Sequence, residues 1–196
     1  GRSFFEVLDQ AKARGVDVRL LVWRPNPEAG HHPIMFRGAP EDRDRLLRRG
    51  SRVKIRWDRA IGRYCQHQKS WLIDAGFPSE TAFVGGANIT LRSSQHHDVY
   101  LKVAGPSASD VHHNFVQRWN EASDRNVEDG NWQCDAADRL LFPAVTSPAR
   151  GASKVQIQRM IHANRYFDGH AAPGTRSIDI GRGDRSIAEQ YVNAID

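Results

Sequence analysis

Helix-like and strand-like patterns alternate along the first part of the chain. The apolar spacing predicts a helix over Ser3–Arg14, ended by Gly15, and then a buried strand over Val16–Trp23. A helix over Glu41–Arg49 and a strand over Arg52–Trp57 repeat this order. Because helices and sheets bury their apolar faces against each other, the alternation predicts an α/β fold, with a mixed β-sheet sandwiched by helices.

A β-hairpin is predicted next. A strand or strand pair over Tyr64–Asp74 is separated by a turn from a strand over Thr81–Gly85. A further strand over Val99–Val103 and a helix over Ser107–Asn120 follow, and the helix has apolar residues along one side. These elements continue the α/β pattern past the middle of the chain.

A linker is predicted at residues 146–153, which are rich in Ser, Pro, Ala and Gly. Beyond it, Lys154–Arg159 predicts a strand and Ser186–Ile195 a helix, which begins with Ser after Arg as the first helix does. We therefore expect a first half over residues 1–145 and the start of a second half over residues 154–196. Because the sequence also lacks an initiator Met, we expect it to be a piece of a larger parent protein.

The composition is typical of a globular protein. The 196 residues are 39% hydrophobic and 26% charged, and no apolar run approaches the roughly 20 residues that a membrane-spanning helix needs. Two cysteines, Cys65 and Cys134, are too few for a disulfide framework.

Positive charge is concentrated in the first third of the chain. The net charge is +5, and residues 37–63 contain ten Arg or Lys against four acidic residues. Such a segment could attract phosphate head groups or a nucleic-acid backbone. It could equally form a solvated helix face with its neighbouring strand, and the sequence leaves both interpretations open.

The residues with the clearest chemistry lie in and after the predicted hairpin. His67 and Lys69 are two residues apart, so on a strand both side chains would leave the same face. The Gly85–Asn88 turn follows a short distance later. An imidazole beside an ammonium group, with backbone amides and an Asn nearby, suits the binding of an anionic phosphate.

This pattern resembles a known family. His67, Lys69, Asp74 and Gly85–Asn88 resemble the HxKxxxxD…GGxN motif of the phospholipase D superfamily. Further blocks resemble the same family and follow the family's order: His97–Val99, Gly105–Ala108 and Phe115–Asn120 in the first half and, for the opening of the second half, Val155–Arg159 and Ser186–Ile187 with Gln190–Tyr191. The resemblance covers nearly the whole chain and implies a phospholipase D-like half.

The resemblance implies a site built from two motif copies that face each other across a pseudo-twofold axis. One histidine attacks phosphorus and forms a phosphohistidine, and the other protonates the leaving alcohol. In these terms His67 is the nucleophile, and Lys69, Asn88 and the backbone at Gly86 bind phosphate oxygens. A neutral imidazole is a competent nucleophile near neutral pH.

The acidic residues of the motif region are given different roles. Asp98 is the candidate to accept a hydrogen bond from the other imidazole nitrogen and fix its tautomer, which would make it part of the catalytic set. Asp74 and Gly85 are expected to be structural. Two departures from the family exist: the gap between Asp74 and Gly85 is about four residues longer, which lengthens the hairpin turn, and Gly86 stands where many members have Ser.

No metal ion or cofactor is implied. The sequence contains three His–His pairs, but adjacent side chains diverge on strands and helices, and no Cys or Glu joins the pairs at a recognised ligand spacing. The pairs are His31–His32, His96–His97 and His112–His113.

The sequence therefore predicts a phospholipase D-type phosphodiesterase that hydrolyses or transphosphatidylates phospholipids. The expected partners are a phospholipid or other phosphodiester, a second motif copy in the same parent chain, and a membrane surface in peripheral contact; nucleic acid fits less well. Alternatives are a nuclease, a cardiolipin-synthase-like member, or a non-catalytic phosphate- or membrane-binding module. Because HxK occurs once in these residues, we expect the chain alone to be inactive.

Overall fold

The computed structural model describes most of the chain in several ranges: residues 2–24, 40–59, 67–89, 95, 97–125, 131–132, 138–143, 147–162, 179 and 181–195. Within these ranges the helices are α1 (Phe4–Ala13), α2 (Pro40–Arg48), α3 (Pro106–Arg125) and α4 (Ser186–Ile195). The strands are β1 (Arg19–Arg24), β2 (Lys54–Arg59), β3 (Lys69–Ile73), β4 (Thr81–Gly85), β5 (Tyr100–Ala104) and β6 (Asn131–Trp132). Contacts divide the chain into one unit of residues 1–66 with 118–140 and another of residues 67–117 with 141–196.

The first unit contains a mixed three-stranded sheet in the order β1-β2-β6. β1 and β2 run parallel, and β6 is antiparallel to β2. A buried cluster forms on this sheet, with Phe5 and Leu8 of α1 packed against Ile55 and Trp57 of β2. α1 begins with a capping box, in which the side chains of Ser3 and Glu6 each bond the other residue's backbone amide.

Asp138 links three elements of this first unit. Its carboxylate lies 3.0 Å from Arg19 Nη1 and 2.7 Å from Lys54 Nζ, and its carbonyl accepts from Arg56 Nη2 at 2.8 Å and from Trp119 Nε1 at 2.9 Å. Burial alone would raise the pKa of Asp138, but the hydrogen bonds and charges of Lys54 and Arg19 hold that pKa below its usual value.

The second unit contains an antiparallel sheet in the order β3-β4-β5. Lys69 pairs with Gly85, and Gly85 pairs with Tyr100. A small apolar core lies on this sheet and includes Ala82 of β4 and Val111 of α3. The register of the three strands is therefore fixed through this core and through the hairpin between β3 and β4.

The predicted fold class is confirmed: the chain has an α/β fold, with its described strands in one mixed and one antiparallel sheet. The predictions for β4 and α4 match to the residue, while β1 begins at Arg19 rather than Val16. None of the described helices is long and apolar enough to cross a membrane. The predicted division into two halves joined by residues 146–153 is based on an internal repeat in the sequence. The division by contacts does not test it, so it stays a prediction.

The predicted strand over Lys154–Arg159 is wrong. This segment has no ladder partner among the described residues, and the nearby pairing is a single bridge between Ile161 and Asp184. The backbone of Arg159 instead bonds a side chain: its amide donates to Ser186 Oγ at 3.1 Å, and its carbonyl accepts from the same hydroxyl at 2.8 Å. The apolar pattern therefore predicted a strand where the described structure has a segment without ladder hydrogen bonds.

Candidate active site

The strand register brings the segments that carry the predicted catalytic and phosphate-binding residues to one end of the antiparallel sheet. Lys69, Gly85 and Tyr100 form the last row of paired residues. Because neighbouring strands are antiparallel, the segments just outside this row leave the sheet at the same end. These segments are His67–Gln68, Gly86–Asn88 and Asp98–Val99.

His67 is exposed and lies just before β3, whereas Lys69 is half-buried and begins the strand. The prediction that both side chains leave the same face assumed that both residues lie on the strand. Only Lys69 does, so the alternation of side chains along a strand does not fix the direction of the His67 side chain. Lys69 Nζ donates a hydrogen bond to the carbonyl oxygen of His67 at 2.8 Å. The ammonium group thus lies next to the backbone that carries the imidazole.

Gln68 attaches this segment to helix α3. The side-chain amide of Asn114 donates to Gln68 Oε1 at 2.7 Å, and Asn114 is 9% exposed. The sequence did not single out either residue for this role, although Gln68 lies between the two motif residues and Asn114 immediately precedes the block Phe115–Asn120.

The two glycines of the turn leave room for neighbours from the β5 side. A Cβ on Gly85 would lie 2.5 Å from the carbonyl oxygen of Val99 and 2.6 Å from Cγ of Tyr100. A Cβ on Gly86 would collide with Oδ1 of Asp98. The space where many family members have a Ser side chain is therefore next to the Asp98 carboxylate in this protein.

Asp98 has a local partner. Its Oδ1 accepts a hydrogen bond from the amide of Val99 at 2.8 Å, and no hydrogen bond joins it to His67 within the described part of the chain. The role predicted for Asp98, orienting an imidazole, stays a prediction. Both residues are exposed at the same end of the sheet.

Asp74 lies at the opposite end of β3, about 16 Å along the strand from Lys69 at the usual rise per residue. It has a positive φ of 55°, and its carbonyl accepts from the amide of Phe77 at 3.0 Å. Its carboxylate accepts from Ser79 Oγ, also at 3.0 Å. These contacts place Asp74 in the extended hairpin turn, and the structural role predicted for it stays a prediction.

A buried polar cluster at this far end was not found from the sequence. Glu80 is 1% exposed, accepts from Ser109 Oγ at 3.2 Å and lies 2.8 Å from His112 Nδ1. This contact is an ion pair when the imidazole of His112 is protonated. Burial alone would raise the pKa of Glu80, but His112, the Gly76 amide and Ser109 hold it below its usual value.

The basic segment is partly used inside the protein. Arg56 is fully buried, and Lys54 pairs with Asp138. Arg45 and Arg48, in the last turn of α2, are exposed. The exposed Arg45 and Arg48 fit the interpretation of a solvated helix face, and the attraction of phosphate groups or a nucleic-acid backbone stays a prediction. Across the described ranges, no three His, Cys, Asp or Glu residues are grouped so that they could hold a metal ion.

Comparison with known proteins identifies the family. The family described as "Cardiolipin synthase, PLD-like domain" matches residues 1–119, a range that contains β1 to β5 and every predicted site residue. The chain belongs to the phospholipase D superfamily.

Two curated phospholipases D are similar to the chain. Phospholipase D alpha 2 of Oryza sativa subsp. japonica is 30% identical over 216 residues, which cover 93% of this chain and 26% of that protein. Phospholipase D alpha 1 of Cynara cardunculus is 36% identical over 107 residues, or 50% of this chain and 13% of that protein. The chain therefore spans about a quarter or less of the length of these phospholipases. No solved structure gave a significant match.

Proposed function

We propose that the chain carries half of a phospholipase D-type active site, which cleaves the phosphodiester bond of phospholipids through a covalent intermediate on His67. The observation that supports this most is the register of the antiparallel sheet. It brings His67, Lys69 and Asn88 to one end, within a range that matches the family. Similarity to two phospholipases D supports phospholipid as the substrate.

The proposed reaction has two displacements at phosphorus. In the first, an imidazole nitrogen of His67 forms a bond to phosphorus while the bond to the head-group oxygen breaks, and a second histidine gives that oxygen a proton. In the second, the oxygen of water or of an alcohol attacks phosphorus, gives its proton to the second histidine, and displaces the imidazole of His67. Lys69 and the amides around Asn88 stabilise the charge on the phosphate oxygens.

The second histidine must come from another HxK copy, since the pattern occurs once in these 196 residues. Without it, an alkoxide would have to leave unprotonated, which is slow at neutral pH. The proposal therefore requires that the 196-residue chain alone turns over phospholipid very slowly.

The accepting molecule is water in a hydrolase and an alcohol in a synthase. The name of the matching family, cardiolipin synthase, favours including transfer to an alcohol as a second candidate reaction. Both use the same intermediate on His67, so the acceptor is decided by the second displacement alone.

The test uses phosphatidylcholine vesicles and a short DNA, each with the 196-residue chain alone and with the chain joined to a half that bears a second HxK. We expect head-group release from the joined protein and almost none from the chain alone. Addition of ethanol tests for transfer, because the product would then be phosphatidylethanol. Rapid phospholipid turnover by the monomeric chain, or cleavage of DNA but not lipid by the joined protein, would contradict the proposal.

A further inference from the structure

We propose that Tyr100 is a positioning residue that holds the Gly86–Asn88 segment in the conformation that binds phosphate. The inference rests on the proposed function, since the conformation of Asn88 matters to catalysis only if phosphate binds there. Tyr100 would not touch the substrate. It would act through the backbone that carries Asn88.

Two contacts place Tyr100 against this segment. Tyr100 pairs with Gly85 across β4 and β5, and its ring lies over the position where Gly85 has no side chain, since an added Cβ would be 2.6 Å from Cγ and 2.7 Å from Cδ1. The ring therefore crosses the end of β4. Its hydroxyl then donates to the carbonyl oxygen of Ala87 at 3.0 Å.

The covalent geometry of the peptide bond extends this contact to Asn88. The carbonyl of Ala87 and the N–H of Asn88 belong to one planar peptide unit, and in a trans peptide they point in opposite directions. No cis peptide occurs in the described chain. By fixing the Ala87 carbonyl, the Tyr100 hydroxyl also fixes the direction of the Asn88 N–H, which points away from the ring.

This segment has little else to fix it among the elements described. Residues 86–88 lie outside β4, and Gly86 and Asn88 are exposed. Glycine also carries a large conformational entropy in a flexible segment. With the hydroxyl-to-carbonyl bond in place, the amide donors of Asn88 are already arranged before phosphate binds. Without that bond, they must be ordered during binding, which lowers the affinity for phosphate.

The matched variants are Tyr100→Phe and Tyr191→Phe. The first removes the hydroxyl and keeps the ring over Gly85. The second makes the same change on α4, where Tyr191 is 69% exposed. The probe is inorganic phosphate, titrated while the ¹⁵N shifts of the backbone and side-chain amides of Asn88 are followed by NMR. ¹⁵N order parameters of Gly86, Ala87 and Asn88 are measured without phosphate.

In Tyr100→Phe we expect phosphate to bind about fivefold more weakly, as for the loss of one ordinary hydrogen bond. We also expect the order parameters of residues 86–88 to fall from the rigid range, about 0.85, toward the flexible range below about 0.6. Tyr191→Phe should match the wild type in phosphate affinity and in the order parameters of residues 86–88. A residue with only a general structural role would lower the unfolding temperature and leave both local measurements unchanged.

The outcomes separate this inference from the proposed function. If wild-type protein shifts the Asn88 amides with phosphate and Tyr100→Phe does so with equal affinity and equal order parameters, the positioning role is wrong and the phosphate site stands. If phosphate leaves the Asn88 amides of the wild type unshifted, the phosphate-binding role of Asn88 is wrong, and the inference fails with it.

Discussion

The side-chain amide of Asn114 on α3 donates a 2.7 Å hydrogen bond to Gln68, the residue between the two motif residues His67 and Lys69. The backbone that carries the proposed nucleophile is therefore tied to α3, the longest of the described helices. Helix and strand are the rigid parts of a protein, so this bond is suited to holding the imidazole in place.

Asn114→Ala should destabilise the protein by about 1–2 kcal/mol, because it removes this hydrogen bond and the packing of a nearly buried side chain. Asn193→Ala is the matched control, since Asn193 is exposed on α4 and gains the same helix propensity. Its effect should stay within about 0.5 kcal/mol. Urea unfolding at pH 7 gives both values, and equal stabilities of the two variants would show that the Asn114–Gln68 bond contributes nothing.

Gly85→Ala should cost about 2–3 kcal/mol, since the new methyl group would overlap the carbonyl oxygen of Val99 and the ring of Tyr100. Gly181→Ala is a milder change, because its Cβ would lie 3.2 Å from a single carboxylate oxygen of Asp179. Thermal unfolding of both variants is the measurement. A Gly85→Ala protein as stable as Gly181→Ala would mean that β5 does not approach β4 as closely as described.

Arg118→Met should destabilise the protein by about 3–5 kcal/mol, because it removes the guanidinium that pairs with the buried carboxylate of Asp58. Arg118 Nη2 lies 2.6 Å from Asp58 Oδ2, and both side chains are nearly inaccessible. The control is Arg182→Met, whose ion pair with Asp179 is exposed and should be worth less than about 1 kcal/mol. Chemical unfolding would contradict the account if the two variants lost equal stability.

Glu80 should make the protein less stable in acid. Its folded-state pKa is lowered, so its contribution is present above the usual Glu value of about 4.3 and is lost as the pH falls through the folded value. Glu80→Gln should therefore reduce the difference in unfolding free energy between pH 7 and pH 4, relative to the exposed control Glu189→Gln. An identical pH dependence in both variants would show that Glu80 is not the group responsible.

The sequence predicted most accurately those helices and strands whose ends are marked by turn or capping residues. β4 was predicted to the residue because the turn residues Gly76 and Pro78 precede it and Gly85 and Gly86 end it. The strand predicted over Lys154–Arg159 was wrong because a strand needs a ladder partner, and alternation within one segment cannot show whether a partner exists.

The sequence predicted the residues of the candidate site but not the hydrogen bonds that hold their backbone in place. The order of HxK, GGxN and Asp98 along the chain predicted that these residues share a site, and antiparallel pairing brings the segments that carry them to the same end of the sheet. Their roles stay predictions. The contacts Tyr100–Ala87 and Gln68–Asn114 join residues 13 and 46 positions apart. Hydrogen bonds of this kind depend on strand register and helix placement, which single-sequence patterns do not contain.

The central claim, that His67 is the nucleophile, can be tested without the second histidine. Bis(4-nitrophenyl) phosphate has a leaving group that departs as a stable anion, so its cleavage needs no proton donor. The 196-residue chain should release at most about one equivalent of nitrophenolate, and mass spectrometry should find the phosphoryl adduct on His67. His67→Ala should give neither product, whereas His162→Ala should behave as the wild type. An adduct that persists in His67→Ala, or none on His67 in the folded wild-type chain, would contradict the account.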